Sequence, residues 1–274
     1  MPEKKEIYFH VGLGKTGTTF LQQRVFPHFK NVYYLQSGHY RHFRKSIEKC
    51  QANKIFISRE FDRQLQREAK RFSQHYPHAK TIIVLRRHAS WIASEYKRYL
   101  KSGKNNTFDS FLDLQNDNGN WKKEDVFFYP KIKYLEKKFD HKPLVLFFKD
   151  LKKDSWGYID KFANYMNATY SKQNINTKPK HKSYNTKQLK IIKKFNQKFM
   201  PQGPDYSDNY YIMKIQRWMR MIPRYIVLYS APLIPNKFVD DQPLIAPEKL
   251  QKIEKNYRED WRKCVEYARQ NNPL

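Results

Sequence analysis

The sequence predicts an α/β fold, with a central parallel sheet of about five strands flanked by helices and a helical C-terminal part. Three observations carry that reading. Short apolar runs alternate with stretches of helical periodicity, the pattern of a parallel sheet covered on both faces. The first run, Ile7-Tyr8-Phe9-His10-Val11, passes directly into a glycine-rich turn and a helix start. Strand signals then fade after about residue 170.

Taken in order, the strand-like runs are Ile7–Val11, Val32–Leu35, Ile55–Ser58, Thr81–Leu85 and Leu144–Phe148. The segments Arg41–Gln51, Phe61–Tyr76, Trp91–Lys101, Lys131–Phe139 and Ser155–Met166 read as helices between and after them. Beyond these, Lys172–Lys182 is polar and reads as a loop crossing a site, while Gln188–Phe199 and Pro247–Gln270 read as helices. The whole, residues 1–274, reads as one domain: an α/β core over 1–170 and a helical part over 171–274. Met213–Phe238 is unusual, because Trp218, Met219, Met221, Ile222 and Ile226-Val227-Leu228-Tyr229 are interleaved with Lys214, Arg217, Arg220 and Arg224. Three roles fit it: a basic aromatic helix with a proline break at a membrane interface, a lid over an acceptor, or part of the core.

The turn after the first strand is Gly12-Leu13-Gly14-Lys15-Thr16-Gly17-Thr18-Thr19. Strand, glycine-rich turn and helix together cradle a phosphate: backbone N–H groups and the positive end of the helix converge on the anion, and Lys15 adds a full charge. The alternative is an ordinary tight β–α turn. A Walker P-loop would need its first glycine at position 9, which is Phe9, so the turn is P-loop-like without being that motif. A second candidate lies at Thr81-Ile82-Ile83-Val84-Leu85-Arg86-Arg87-His88, where a strand runs into two arginines. Arg86 leaves the carboxyl end of a parallel strand, where open α/β sheets place ligands, and Ser94 lies a little over two helical turns on. Guanidinium plus hydroxyl suits a dianionic phosphate; the alternative is a surface Arg and an ordinary helix Ser.

As a pair, these segments resemble the sulfotransferases that use 3′-phosphoadenosine 5′-phosphosulfate (PAPS), in which a loop of the form [P/G]-K-[ST]-G-T-T holds the 5′-phosphosulfate. Gly14, Lys15, Thr16, Gly17, Thr18 and Thr19 match that loop; Arg86 and Ser94 match the Arg and Ser that hold the 3′-phosphate. The run His10-Val11-Gly12 through Gln22 is similar to bacterial members, as are Ser102-Gly103 and Thr107–Leu112. The resemblance implies PAPS as donor, adenosine 3′,5′-bisphosphate (PAP) as product and no metal. It also implies that Phe20 lies near the adenine. His181, Lys182 and Ser183 stand where an N-x-S usually completes the cofactor site, with His181 in place of Asn. Lys15 is then the cation that stabilises charge in the transition state. A His or Glu after the third strand commonly serves as base in the family, which points to Glu60; an ion pair with Arg59 or Arg63 is the other reading of that residue. His39 and His10 stand in reserve, His10 rather as a residue that orients the loop.

Composition bounds the rest. Hydrophobic content of 39% with 16% aromatics supports a core, while a mean hydropathy of −0.92 gives a very polar surface. No run reaches the roughly 20 apolar residues of a membrane span, the first residues carry no signal-like stretch, and two cysteines imply no disulfide framework. The expected location is cytoplasmic. The net charge of +28, from 54 Lys and Arg against 26 acids, draws anions. A polyanionic acceptor, an anionic membrane surface, nucleic acid, or lysines spread evenly for solubility would each account for it. The favoured acceptor is an anionic glycan or glycolipid, with peripheral membrane association and no nucleic acid. A P-loop nucleotide kinase and a basic nucleic-acid-binding protein are the competing functions.

Overall fold

A computed structural model describes residues 5–104, 106–178, 184–200, 206–239 and 241–273. It contains a five-stranded parallel sheet in the order β2-β3-β1-β4-β5. The strands are β1 (Glu6–Gly12), β2 (Tyr33–Leu35), β3 (Lys54–Glu60), β4 (Lys80–Leu85) and β5 (Leu144–Phe147). The helices are α1 (Thr18–Phe20), α2 (Phe43–Lys49), α3 (Leu65–Ser73), α4 (His88–Lys101), α5 (Phe108–Phe111), α6 (Lys123–Val126), α7 (Tyr129–Lys138), α8 (Phe148–Lys153), α9 (Ser155–Tyr165), α10 (Thr186–Phe199), α11 (Tyr210–Ser230), α12 (Pro247–Asn256) and α13 (Arg258–Asn271). Helix α1 runs on into a π turn, Leu21–Val25, and a 3-10 turn, Phe26–His28.

All five strands fall where apolar runs place them. The chain divides into two compact units: residues 1–88, 127–180 and 256–274 form the first, residues 89–126 and 181–255 the second. Pro247–Gln270, which reads as one helix in the sequence, is two. It breaks at Tyr257, whose buried ring stacks 5.0 Å from the His88 imidazole. Met213–Phe238 does not break at Pro223: α11 runs through that residue, giving up one main-chain donor, and ends before the 3-10 turn at Ala231–Leu233.

In the first unit, β1 is the central strand and is buried on both faces, so its side chains alternate between two apolar layers. Tyr8 joins Phe56, Ile82, Leu144 and Leu146 against Leu21, Phe26, Tyr158 and Phe162. Phe9 faces the other way, stacked 4.1 Å from Phe72 of α3 and edge-on to Phe61 at 6.0 Å. Each such buried aromatic contributes roughly 1.5–3 kcal/mol. The strand order puts the topological switch point between β1 and β4, since the chain leaves β1 towards β2 and leaves β4 towards β5. In open sheets the carboxyl ends at that point form the ligand crevice.

Helix α13 is tied into this unit at both ends: Asn272 exchanges hydrogen bonds with the Val145 backbone at 3.0 and 2.8 Å, and Asp260 anchors the first turn. Asp260 is buried and accepts from the backbone N–H of Phe128 (2.8 Å) and Tyr129 (3.0 Å), capping the start of α7. His88 Nε2 lies 2.9 Å from the same group, its ring stacked between Phe128 and Tyr257. Removing a buried hub of this kind leaves its partners unsatisfied, so Asp260→Ala should lower stability by about 3 kcal/mol. A fall in the urea midpoint with an unchanged slope would register it.

Candidate active site

The turn between β1 and α1 is a left-handed one. Lys15 has φ 64° and Gly17 φ 86°. At Gly17 a Cβ would meet Leu151 Cδ2 at 2.8 Å, so only glycine fits there. Lys15, a non-glycine residue in the same region, needs outside support. Arg86 supplies it by donating from Nη1 to the Lys15 carbonyl at 3.0 Å, while its guanidinium lies 5.0 Å from the centre of the Phe148 ring. The two strand ends that carry the phosphate motifs therefore meet, β1 through Lys15 and β4 through Arg86.

The front of the turn is pinned as well. Gly14 N–H donates to Asp62 Oδ1 at 2.8 Å, and Phe61 N–H donates to the Gly12 carbonyl at 2.7 Å. Pairing of β1 with β3 sets Glu60 directly beside Gly12, so the candidate base stands at the carboxyl edge next to the turn, half-buried. Thr16 and Thr18 are buried; Thr16 Oγ1 donates to the Leu13 carbonyl at 2.6 Å and lies 3.2 Å from Thr18 Oγ1. Their hydroxyls hold the turn together, which leaves main-chain N–H groups as the donors these residues can offer an anion. No side chain caps α1, whose N-cap is Gly17. A turn that admits no Cβ at Gly17, an uncapped helix start and a half-buried Lys15 fit a bound phosphate or sulfate ester.

His10 lies beneath the turn. It is fully buried, and a Cβ on Gly12 would come within 3.1 Å of its ring. Gln22 Nε2 donates to Ser58 Oγ at 3.0 Å, and the same hydroxyl is hydrogen-bonded to His10 Nδ1 at 2.8 Å. His10 Nε2 has no hydrogen-bond partner among the described residues. Burial pushes the His10 pKa down to about 3, and the ring stays neutral. Fully buried beside Gly12, His10 is too enclosed to serve an acceptor as base.

The other sequence candidates are dispersed. Thr19 is exposed and Phe20 half-buried against the core, both at the start of α1. His39 is exposed in the 3-10 segment Ser37–His42 after β2, which Arg59 Nη1 ties to the end of β3 through the Ser37 carbonyl at 3.1 Å. Ser94 is half-buried in α4, in the part belonging to the second unit. His181, Lys182 and Ser183 lie outside the described residues. Sequence reasoning does not reach Asp62, Ser58, Gln22 or Phe148. Asp62 is the detectable one, a carboxylate two residues past Glu60 on a strand end already singled out.

The family model described as Sulfotransferase domain matches residues 8–214. The chain belongs to the sulfotransferase family. It is accordingly a transferase, a PAPS-dependent sulfotransferase. No curated protein matches closely enough to count as a relative. Among solved structures, a sulfotransferase from Alicyclobacillus acidocaldarius is similar at 14% identity, over 82% of this chain and 95% of that one, with a TM-score of 0.49. Mouse sulfotransferase SULT7A1 complexed with PAP is similar at 12% identity over 93% and 89% of the two chains, TM-score 0.40. Retinol dehydratase in complex with androsterone and inactive cofactor PAP is similar at 12% identity over 97% and 80%, TM-score 0.38.

The neutral, buried His10 of this sulfotransferase makes a pH prediction. Its folded pKa of about 3 lies below the ordinary 6.5, so its contribution is fully present above pH 6.5 and is lost as pH falls towards 3. Between about pH 6.5 and 4 the wild type should lose stability more steeply than His10→Gln, by up to one proton, about 1.4 kcal/mol per pH unit. Urea unfolding across that range measures the difference in slope.

Proposed function

We propose that this sulfotransferase moves a sulfuryl group from PAPS, by in-line displacement, to a hydroxyl or amine of an anionic glycan or glycolipid, working in the cytoplasm with peripheral contact to an anionic membrane. One observation supports this reading of the site: Arg86 from the end of β4 bonds the Lys15 carbonyl of the β1 turn, so the two motif-bearing segments are in contact. Gly14, Lys15, Thr16, Gly17, Thr18 and Thr19 hold the 5′ end of the donor, Phe20 the adenine, and Arg86 with Ser94 the 3′-phosphate. His181, Lys182 and Ser183 complete the site in this reading. When bound, PAPS supplies the electrophilic sulfur and a bisphosphate leaving group.

The chain's own residues supply the rest. Lys15 places a cation in the turn, where charge builds as the leaving group departs. Glu60, beside Gly12, takes the proton from the acceptor hydroxyl, and His39 is next in line for that role. The acceptor class is supported by chemistry alone: Lys and Arg, 54 in all, match carboxylates and sulfates, and the 20 tyrosines and 5 tryptophans suit sugar faces.

Calorimetry should show PAP binding far more tightly than AMP. Arg86→Ala should remove most of that preference, a loss of about 1.5–3 kcal/mol for a charge-assisted contact. Equal affinity for the two nucleotides in the wild type would overturn the 3′-phosphate assignment. Glu60→Gln keeps shape and removes basicity, so turnover should drop roughly 10²–10⁴-fold with PAP affinity retained. Undiminished turnover would move the base to another residue.

A further inference from the structure

Helix α11, in the second unit, is amphipathic the wrong way round for a core helix. Among the described residues it is held chiefly along one edge: Leu228 is buried with Leu189 and Ile192 of α10, Gln188 Nε2 donates to the Leu228 carbonyl at 2.8 Å, and Arg224 bonds the Ser102 carbonyl; Tyr229 also meets Tyr184 edge-on, ring centres 6.4 Å apart. The opposite face is apolar. Tyr211, Ile215, Trp218, Met219, Ile226 and Tyr229 are 56–75% exposed and recur at three- and four-residue spacing, one stripe along about 27 Å of helix. Leu233, just past the helix end, continues it at 84% exposure. Lys214 is exposed beside the stripe, Arg217 is exposed further round the helix with its guanidinium 5.2 Å from the centre of the Tyr206 ring, and no Asp or Glu occurs from Asn209 to Val239.

We infer that this face of α11 docks on an anionic lipid surface, lying in the plane of the interface with Trp218 and its apolar neighbours inserted and Lys214 and Arg217 on headgroups. This rests on the membrane-peripheral part of the proposed function, not on its chemistry. Charge selects the occupant. A second copy would set +28 against +28 with no acid on the helix to offset it. Nucleic acid offers the charge but no apolar phase for an isoleucine, methionine and tryptophan stripe. A bilayer with anionic headgroups offers both. No helix among the described residues is long and apolar enough to cross a membrane, and α11 with its four cations lies on one instead.

Vesicle flotation with the full chain tests this, using phosphatidylcholine alone and phosphatidylcholine doped with phosphatidylglycerol. The wild type should float with the doped vesicles only, and salt should release it. Trp218→Ser with Ile226→Ser should weaken partition at least roughly tenfold, and Lys214→Gln with Arg217→Gln should erase the preference for anionic lipid. Ile215→Ser with Tyr229→Ser serves if the first pair disturbs folding. Thermal shift with PAP should be equal in every variant; its absence throughout would count against the sulfotransferase site and leave the lipid result standing. The inference is overturned if the wild type stays with the bulk, or if stripe variants float like the wild type. It also falls if those variants abolish a concentration-dependent dimer in ultracentrifugation while vesicle binding is unchanged.

Discussion

The hydrogen bond from Phe61 N–H to the Gly12 carbonyl, 2.7 Å long, is where the strand pairing of the sheet becomes the geometry of the site. It closes the last rung between β1 and β3, and the turn beyond it depends on that register. With Gly12 opposite Glu60, Asp62 comes into reach of the Gly14 N–H, and the chain can turn left-handed at Lys15. A slip of one residue would reverse the faces of β3. Ser58 would leave His10, Phe56 would leave the aromatic layer with Phe26, and the base candidate would point away from the turn.

Support for the turn comes from three directions that differ in chemistry. A charged donor, Arg86, holds the Lys15 carbonyl; a carboxylate, Asp62, holds the Gly14 amide; a neutral polar chain of Gln22, Ser58 and His10 fills the space beneath Gly12. The aliphatic and aromatic wall of Leu151 and Phe148 closes the back against Gly17. Anion recognition by main-chain amides requires such stiffness, because the donors must already point together before the ligand arrives. The left-handed Lys15 is the strained point that this scaffold over-determines.

Much of this architecture is legible in the sequence because the physics is local. Five buried parallel strands need continuous apolar runs, and each run marks a strand to within a residue or two. The turn is readable because Gly17, at positive φ with no room for a Cβ, demands glycine, and a lysine among glycines and hydroxyls stands out beside it. The features hidden from the sequence depend on register or tertiary partners: the Asp62 clamp, the Ser58–His10 pair, and Phe148 under Arg86 arise from residues far apart in the chain. The break at Tyr257 is hidden for the same reason, since helical spacing continues through it while its ring packs on His88 and Phe127, which are distant in the chain. In α11 the pattern gives the helix but not its orientation. Hydrophobic spacing names a face without saying what lies opposite.

The first unit is also discontinuous in sequence. Its central strand and glycine-rich turn lie in residues 1–88, while α13 and the Asp260 that caps α7 belong to residues 256–274. Residues 89–126 and 181–255 intervene, so the contact of Asp260 with His88 at the exit of β4 closes a long loop. The turn itself draws its clamps from nearer segments, whereas the anchoring of β4's exit carries the entropic cost of that long return.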